Sequence, residues 1–269
     1  MPELPEVETT RLGLMPLIVN QNVARVILHR SHLRWAVPQH LVTTLPKQRV
    51  QAIDRRGKYL LIRFLVGTVM IHLGMSGSIR VVGVNAPLHK HDHFELQFDN
   101  GGAMRLNDPR RFGSVLFSAD GTHSLLDGLG VEPLGQAFND VYLYHQSRHR
   151  QQNIKAFIMN SRVVVGVGNI YACESLFRAG INPRRLANAV SKKRYQLLTQ
   201  CIKTVLTEAI QAGGTTLQDF SKVDGAPGYF AQTLLVYGRE HQPCDTCAGK
   251  IARIVQNQRS TFYCKVCQT

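Results

Sequence analysis

Two Cys-x-x-Cys pairs stand near the end of this sequence, Cys244 with Cys247 and Cys264 with Cys267, in the run "CDTCAGKIARIVQNQRSTFYCKVC". Sixteen residues separate the pairs. Four thiolates at this spacing suit a tetrahedral zinc ion and leave no open position for chemistry on the metal. Between the pairs, "KIARIV" and "RSTFYC" alternate as two strands do, with "QNQ" as the turn. The run therefore predicts a zinc-stapled β-hairpin with Arg259 near its tip. A basic residue there is either a solvated surface group or one that reaches a phosphate.

The rest of the chain divides by period. Residues 5–18 read as a helix, with Pro5 in the first turn and Glu6 and Glu8 at its positive end. From about 23 to 118 come short β-branched runs, "VARVILH", "RVQAI", "YLLIRFL", "TVMIHL", "SIRVV", "FELQF" and "SVLF", split by Gly, Asn and Pro. They predict an antiparallel β-sandwich. From 151 the pattern turns helical: "IKAFIMNS", "NIYACESLFRAG" stopped by Gly180, and a long helix from the N-cap Ser191 to Gly213. "SKVDGAPGYFA" reads as a flexible loop. The fold class is α+β, in two domains: 1–130 as a sandwich with an N-terminal helix, 131–150 as linker, 151–234 as the helical domain and 235–269 as the zinc hairpin.

Charge narrows the partner. The chain carries 32 Lys and Arg against 18 Asp and Glu, a net +14. Residues 150–269 hold 16 basic and only 6 acidic side chains. Such a balance suits a polyanion. No run of uninterrupted apolar residues is long enough to span a membrane, and no basic-then-apolar leader opens the chain, so a cytoplasmic protein is expected. In that compartment the cysteines stay reduced.

Four further stretches carry chemistry. "VVVGVGNIYACESLF" sets a Gly-rich turn before a helix, an arrangement that serves either helix packing or phosphate binding through free N–H groups, with Asn169 as cap or donor. "HLGMSG" and "NDPRRFG" are loops bearing Met75, Arg110, Arg111 and Phe112, and each alone reads as structural. The opening "MPELPEVETT" crowds Pro2, Glu3, Pro5, Glu6 and Glu8. With the initiator Met removed, Pro2 presents a secondary amine, and an α-amino group has a reference pKa of about 7.7–8.0. Attack on a sugar carbon would give an iminium, an electron sink for elimination, with Glu3 beside it as proton donor. Taken alone, the same acids merely complement the helix dipole.

Taken together, "MPELPEVET", "RRGKYLL", "HLGMSGS", "KHDH", "NDPRRFG", "VVGVGNIYACESLF", "GGTT", "DGAPGYFAQ", "VYGR" and the four-cysteine unit with "QRSTFYC" resemble the bacterial formamidopyrimidine-DNA glycosylases over the whole chain and in the right order. The resemblance implies a bifunctional base-excision enzyme, glycosylase and abasic-site lyase, acting as a monomer on double-stranded DNA with oxidised purines such as 8-oxoguanine. It implies a helix–two-turns–helix domain, one structural zinc, and DNA lying in a cleft between the domains. It implies Pro2 as nucleophile, Glu3 as the acid that opens the ribose, Glu6 in support, Lys58 in β-elimination, and Arg259 in phosphate binding and δ-elimination. Lys155, Asn169, His91 and Arg110 match DNA-contact positions; Met75, Arg110 and Phe112 match the side chains that fill the gap left by base eversion; "SKVDGAPGYF" matches the loop over the everted base. Departures occur at Asn160-Ser161-Arg162, where many members read Asp-Asn-Lys, and at Cys173, where Ser is common. A family lysine falls at Gln151, so the neighbouring Arg150 is expected to take over that contact. The alternatives are an endonuclease VIII-like enzyme for oxidised pyrimidines, which typically has Gly where Leu4 stands, and a non-catalytic zinc DNA-binding protein.

Overall fold

A computed structural model describes residues 2–215 and 233–269. The described residues group into two compact units, 2–127 with 212–215, and 128–211 with 233–269. The loop "SKVDGAPGYF", at 221–230, lies outside the described residues.

The first unit opens with helix α1 (Leu4–Ile18), which begins with a proline in its first turn and a capping box between Glu3 and Glu6. Strands β1 (Val23–Leu28), β2 (Ala52–Arg56), β3 (Tyr59–Phe64), β4 (Gly67–His72), β5 (Ser78–Gly83), β6 (Asp92–Phe98), β7 (Gly102–Asn107) and β8 (Ser114–Ser118) follow, with a one-turn helix α2 (Leu41–Thr44) after β1. They form two antiparallel sheets, ordered β1-β6-β7-β5 and β2-β3-β4-β8. Val7, Leu14 and Ile18 of α1 share one apolar core with Leu60 and Ile71 of one sheet and Phe94 of the other. The sandwich is therefore the expected one, with α1 sealed into it.

Two strands differ from the sequence reading. The second lies at Ala52–Arg56, a few residues beyond "RVQAI". β7 has no counterpart there at all, because a Gly-rich start and a mid-strand arginine hide it. Arg105 is nonetheless buried, since its guanidinium meets Glu95 at 3.1 Å with both side chains about 2% exposed. The same guanidinium donates to the carbonyls of Val84 (3.1 Å) and Ala86 (2.8 Å), which anchors the 84–87 loop. A buried charge is tolerated when it is paired and its remaining N–H groups are satisfied.

The second unit holds α3 (Asp140–Ser147), α4 (Ile154–Ile158), α5 (Asn169–Arg178) and α6 (Lys192–Gln211), then the hairpin β9 (Ile251–Gln256) and β10 (Arg259–Cys264). α5 packs on α6 and on β10, and α3 packs on α6. The helix expected over "IKAFIMNS" is shorter, because Asn160 turns the chain: its Oδ1 accepts the Arg162 N–H at 3.0 Å. Gly180 ends α5 with φ +65° and Ser191 caps α6, both as expected. The hairpin turn is Asn257-Gln258, both at positive φ (48° and 60°), the pair that a two-residue antiparallel turn demands.

Arg105→Met removes one half of the buried pair and leaves the Glu95 carboxylate with His29 and Gln97 but without its buried guanidinium. A loss of about 3–5 kcal/mol is expected for such a change, and urea unfolding followed by circular dichroism measures it.

Candidate functional site

In the first unit the N-terminal residues are built in. Pro2 is buried, and Glu3 and Glu6 are each 2% exposed. Glu6 spends both carboxylate oxygens on backbone: Oε2 accepts the Glu3 N–H at 2.7 Å, and Oε1 accepts the Thr215 N–H at 2.9 Å. Gly213 and Gly214, both at positive φ (77° and 82°), shape the chain just before Thr215. Glu6 thus joins the "GGTT" stretch to the start of α1.

Glu8 does something other than complement the dipole. Its carboxylate meets Arg11 at 2.6 Å and Arg55 at 2.7 Å. Burial opposes its ionisation, but these two guanidinium groups outweigh burial and hold the carboxyl below the usual carboxylate range. Arg55 also donates to the Gly57 carbonyl at 3.0 Å, and Gly57 takes φ +57°. This couples α1 to the turn that presents Lys58.

Lys58 has a neighbour the sequence reading missed. His72, paired with Tyr59 across β3 and β4, meets that ring at a 58° tilt with centroids 4.9 Å apart, and accepts the Gly74 N–H on Nδ1 at 2.9 Å. Burial, then the charges of Lys58 and Arg34, lower its pKa to about 4. His72 is therefore a neutral imidazole near neutral pH. The signal was the His of "HLGMSG", quoted for its Met alone.

The two loops with large side chains lie side by side. A Cβ on Gly74 would meet the Phe112 carbonyl oxygen at 2.8 Å, so only glycine lets the backbones approach. Met75 is half-buried, Arg110 is exposed, and Phe112 is 47% exposed with the Arg110 guanidinium over its ring at 5.2 Å. A solvent-facing aromatic and a half-exposed methionine are not core filler. His91 lines a basic pocket of about 450 Å3 with Arg30, His89, Lys90, His93 and Arg111.

In the second unit, the expected contact residues converge on the hairpin. Lys155 is 2% exposed, and its Nζ donates to Thr261 Oγ1 at 2.6 Å and to the Ser260 carbonyl at 3.2 Å. Asn169 Nδ2 donates to that same carbonyl at 2.9 Å. Gly168, not Asn169, caps α5: Asn169 is the first helical residue, which lets its amide reach sideways to the hairpin. Arg259, one residue before Ser260, is exposed, as is Gln151, and Arg150 lies at the surface beside it. Glu174, absent from the sequence reading, is fully buried and accepts the N–H groups of Leu235, Val236 and Tyr237 at 2.8–3.0 Å. It fixes the "VYGR" turn.

The four cysteines meet the zinc expectation. All four Sγ atoms lie within 4.8 Å of one another, with Cys244–Cys267 at 3.9 Å and Cys247–Cys264 at 3.4 Å. A tetrahedron with zinc–sulfur bonds of about 2.3 Å has edges of about 3.8 Å. Cys244, Cys247, Cys264 and Cys267 therefore hold one structural zinc.

A helix-led β-sandwich, a helix–two-turns–helix unit and a four-cysteine hairpin in one chain define the zinc-hairpin class of helix–two-turns–helix proteins. Residues 1–115 match the formamidopyrimidine-DNA glycosylase N-terminal domain, 129–221 its H2TH domain, and 242–269 the zinc finger found in FPG and IleRS. The formamidopyrimidine-DNA glycosylase of Ruthia magnifica is 68% identical over 269 residues, covering all of both chains, and that of Stenotrophomonas maltophilia strain K279a is 52% identical with the same coverage. Among solved structures, the MutM (Fpg) protein of Thermus thermophilus superposes with a TM-score of 0.90 at 36% identity, covering 99% of this chain and 98% of that one. A Lactococcus lactis Fpg mutant in complex with Fapy-dG-containing DNA gives 0.92 at 31% identity, covering all of both chains. The chain belongs to the formamidopyrimidine-DNA glycosylase family.

Two measurements test this site. Chelating the metal is expected to unfold the hairpin and weaken DNA binding while the far-ultraviolet signal of the sandwich persists, because the thiolates staple only the second unit; unchanged affinity in metal-free protein would contradict it. His72, with a folded pKa of about 4 against an ordinary 6.5, favours folding fully above pH 6.5 and loses that contribution as pH falls toward 4. His72→Gln keeps an acceptor for the Gly74 N–H but does not titrate. Urea melts between pH 7 and 4 are expected to show a shallower acid loss in the variant.

Proposed function

We propose that this protein is a bifunctional DNA glycosylase and abasic-site lyase of base excision repair, working as a cytoplasmic monomer on duplex DNA that contains oxidised purines. The observation that carries the proposal is the buried stretch from Pro2 to Glu6: Pro2 at the head of α1, with Glu3 and Glu6 beside it and Glu6 fixed by two backbone N–H groups. With Met1 removed, a Pro2 held this rigidly can present its amine as a reagent.

The neutral Pro2 nitrogen attacks C1′ of the damaged nucleotide. The bond from C1′ to the base breaks, and the departing base takes the proton that the Pro2 nitrogen sheds on bonding to C1′. Glu3 delivers a proton to the ring oxygen as the sugar opens, leaving an iminium between Pro2 and C1′. That cation accepts electrons when a C2′ proton is removed, and the 3′ phosphate leaves in β-elimination. Lys58, on the turn fixed by Arg55 and Gly57, assists at this stage. A second elimination releases the 5′ phosphate, with Arg259 at the scissile group. The result is a one-nucleotide gap with phosphate ends.

The contact residues supply the energy of eversion. Turning a base out of the stack costs a few kcal/mol. Met75, Arg110 and Phe112 fill the space it leaves. His91, Arg150, Lys155, Asn169 and Arg259 hold the backbone around it, with Gln151 beside Arg150. The zinc stays outside the chemistry: its four thiolates hold the hairpin that carries Arg259 and the Ser260 carbonyl.

Borohydride trapping on an 8-oxoguanine duplex and on a preformed abasic duplex tests the reading. Chain starting at Pro2 is expected to cross-link to both. Met1 retained converts the amine to an amide and should abolish trapping. Pro2→Gly keeps a primary amine and should trap slowly. Glu3→Gln should lose excision of 8-oxoguanine but still process the abasic site, whose sugar opens unaided. Strong trapping with Met1 verified in place would make an internal lysine, Lys58 first, the nucleophile. Cleavage of thymine glycol in preference to 8-oxoguanine would move the enzyme to the pyrimidine-specific branch.

A further inference from the structure

Asp108 is completely buried, and no step of the proposed chemistry uses it. Its hydrogen bonds explain why it is there. Oδ1 accepts the Ser76 hydroxyl at 3.2 Å, and Oδ2 accepts the Gly113 N–H at 2.8 Å. Ser76 follows Met75 and Gly113 follows Phe112, so one carboxylate grips both loops next to their exposed side chains. The backbone of Asp108 extends the grip. Its N–H donates to the His91 carbonyl at 3.0 Å, and its carbonyl accepts the Arg111 N–H at 3.2 Å and His93 Nε2–H at 3.0 Å.

Backbone geometry depends on this node. Arg111 takes φ +58°, a left-handed conformation unfavourable for a side chain of its size. A Cβ on Gly113 would lie 2.7 Å from the His72 carbonyl oxygen and 2.9 Å from Asp108 Oδ2. The loops therefore meet backbone to backbone with no side chain between them. A carboxylate with two acceptor oxygens satisfies donors from two loops at once.

We propose that Asp108 is a positioning residue for base eversion: it sets the register between the Met75 loop and the Arg110–Phe112 loop, so that the three side chains enter the stack as one unit. The assignment rests on the eversion role proposed for those side chains and adds the element that makes them act together. An apolar wedge misplaced by an ångström loses contact on one side, so register matters as much as identity.

Asp108→Ala tests it. Alanine offers no acceptor, so both the Ser76 hydroxyl and the Gly113 N–H lose their partner. Single-turnover excision from an 8-oxoguanine·cytosine duplex is expected to slow by about ten- to a hundredfold, the scale of a lost hydrogen bond to a charged group. Trapping on a preformed abasic duplex, where no base pair must be broken, should fall far less. In a Met75→Ala background Asp108→Ala should add little, because the wedge it positions is gone. Ser76→Ala cuts the Oδ1 bond alone and should give a smaller loss with the same substrate pattern, and its result decides if Asp108→Ala fails to fold. Equal losses on both substrates, or full additivity with Met75→Ala, would overturn the assignment while leaving the wedge reading intact. Unchanged excision and unchanged 2-aminopurine eversion signal in Met75→Ala alone would overturn the wedge reading itself, and the assignment with it.

Discussion

The Glu6 carboxylate is the constraint on which the N-terminal site rests. It binds N–H groups of two segments whose anchoring residues, Glu6 and Thr215, are 209 residues apart in sequence. One of its oxygens holds the start of α1 and the other holds the chain at "GGTT". A buried carboxylate is costly unless its lone pairs are taken up by donors. Here that requirement fixes Glu3 beside Pro2, in a stretch near the chain end, where order is ordinarily least. The rigidity of Pro2 and Pro5 adds to this by reducing the freedom that must be lost on folding. The N-terminal reactivity proposed above thus depends on the local rule that builds a helix cap, extended by one long-range hydrogen bond.

The second unit repeats the logic with a cation. Lys155 is buried against Thr261 and the Ser260 carbonyl, and Asn169 converges on the same carbonyl. Two helices therefore hold one strand of the hairpin through side chains whose charge and polarity also suit phosphate. The metal fixes one end of that strand, and the side chains fix the other. Glu174 completes the arrangement by taking three successive backbone N–H groups of the 235–237 turn. Burial raises the affinity of its carboxyl for a proton, and those N–H groups pull the other way.

Much of this was legible in the residues. The four-cysteine spacing implied a tetrahedral site, and the sulfur positions agree with it. The β-branched runs located the sandwich, and Gly180 and Ser191 marked helix ends, because these signals are local. What escaped was carried by polar residues whose meaning depends on distant partners. Arg105 hid β7, since a mid-strand arginine reads as exposed until Glu95 is found opposite it. Asp108 was not singled out in the sequence, and nothing local says that Ser76 lies across from it. Asn169 read equally as a cap, because sequence does not tell whether a side chain turns back to its own helix or across to another strand.

The hairpin has one further consequence. β10 runs from Arg259 directly into the metal ligand Cys264. Side chains alternate along a strand, so the five steps between them put the two on opposite faces. A residue gained or lost within this segment would turn Arg259 to the other face while the thiolates kept their places. The strand acts as a ruler between an anchored end and the end that carries Arg259, and its parity sets which way that side chain faces.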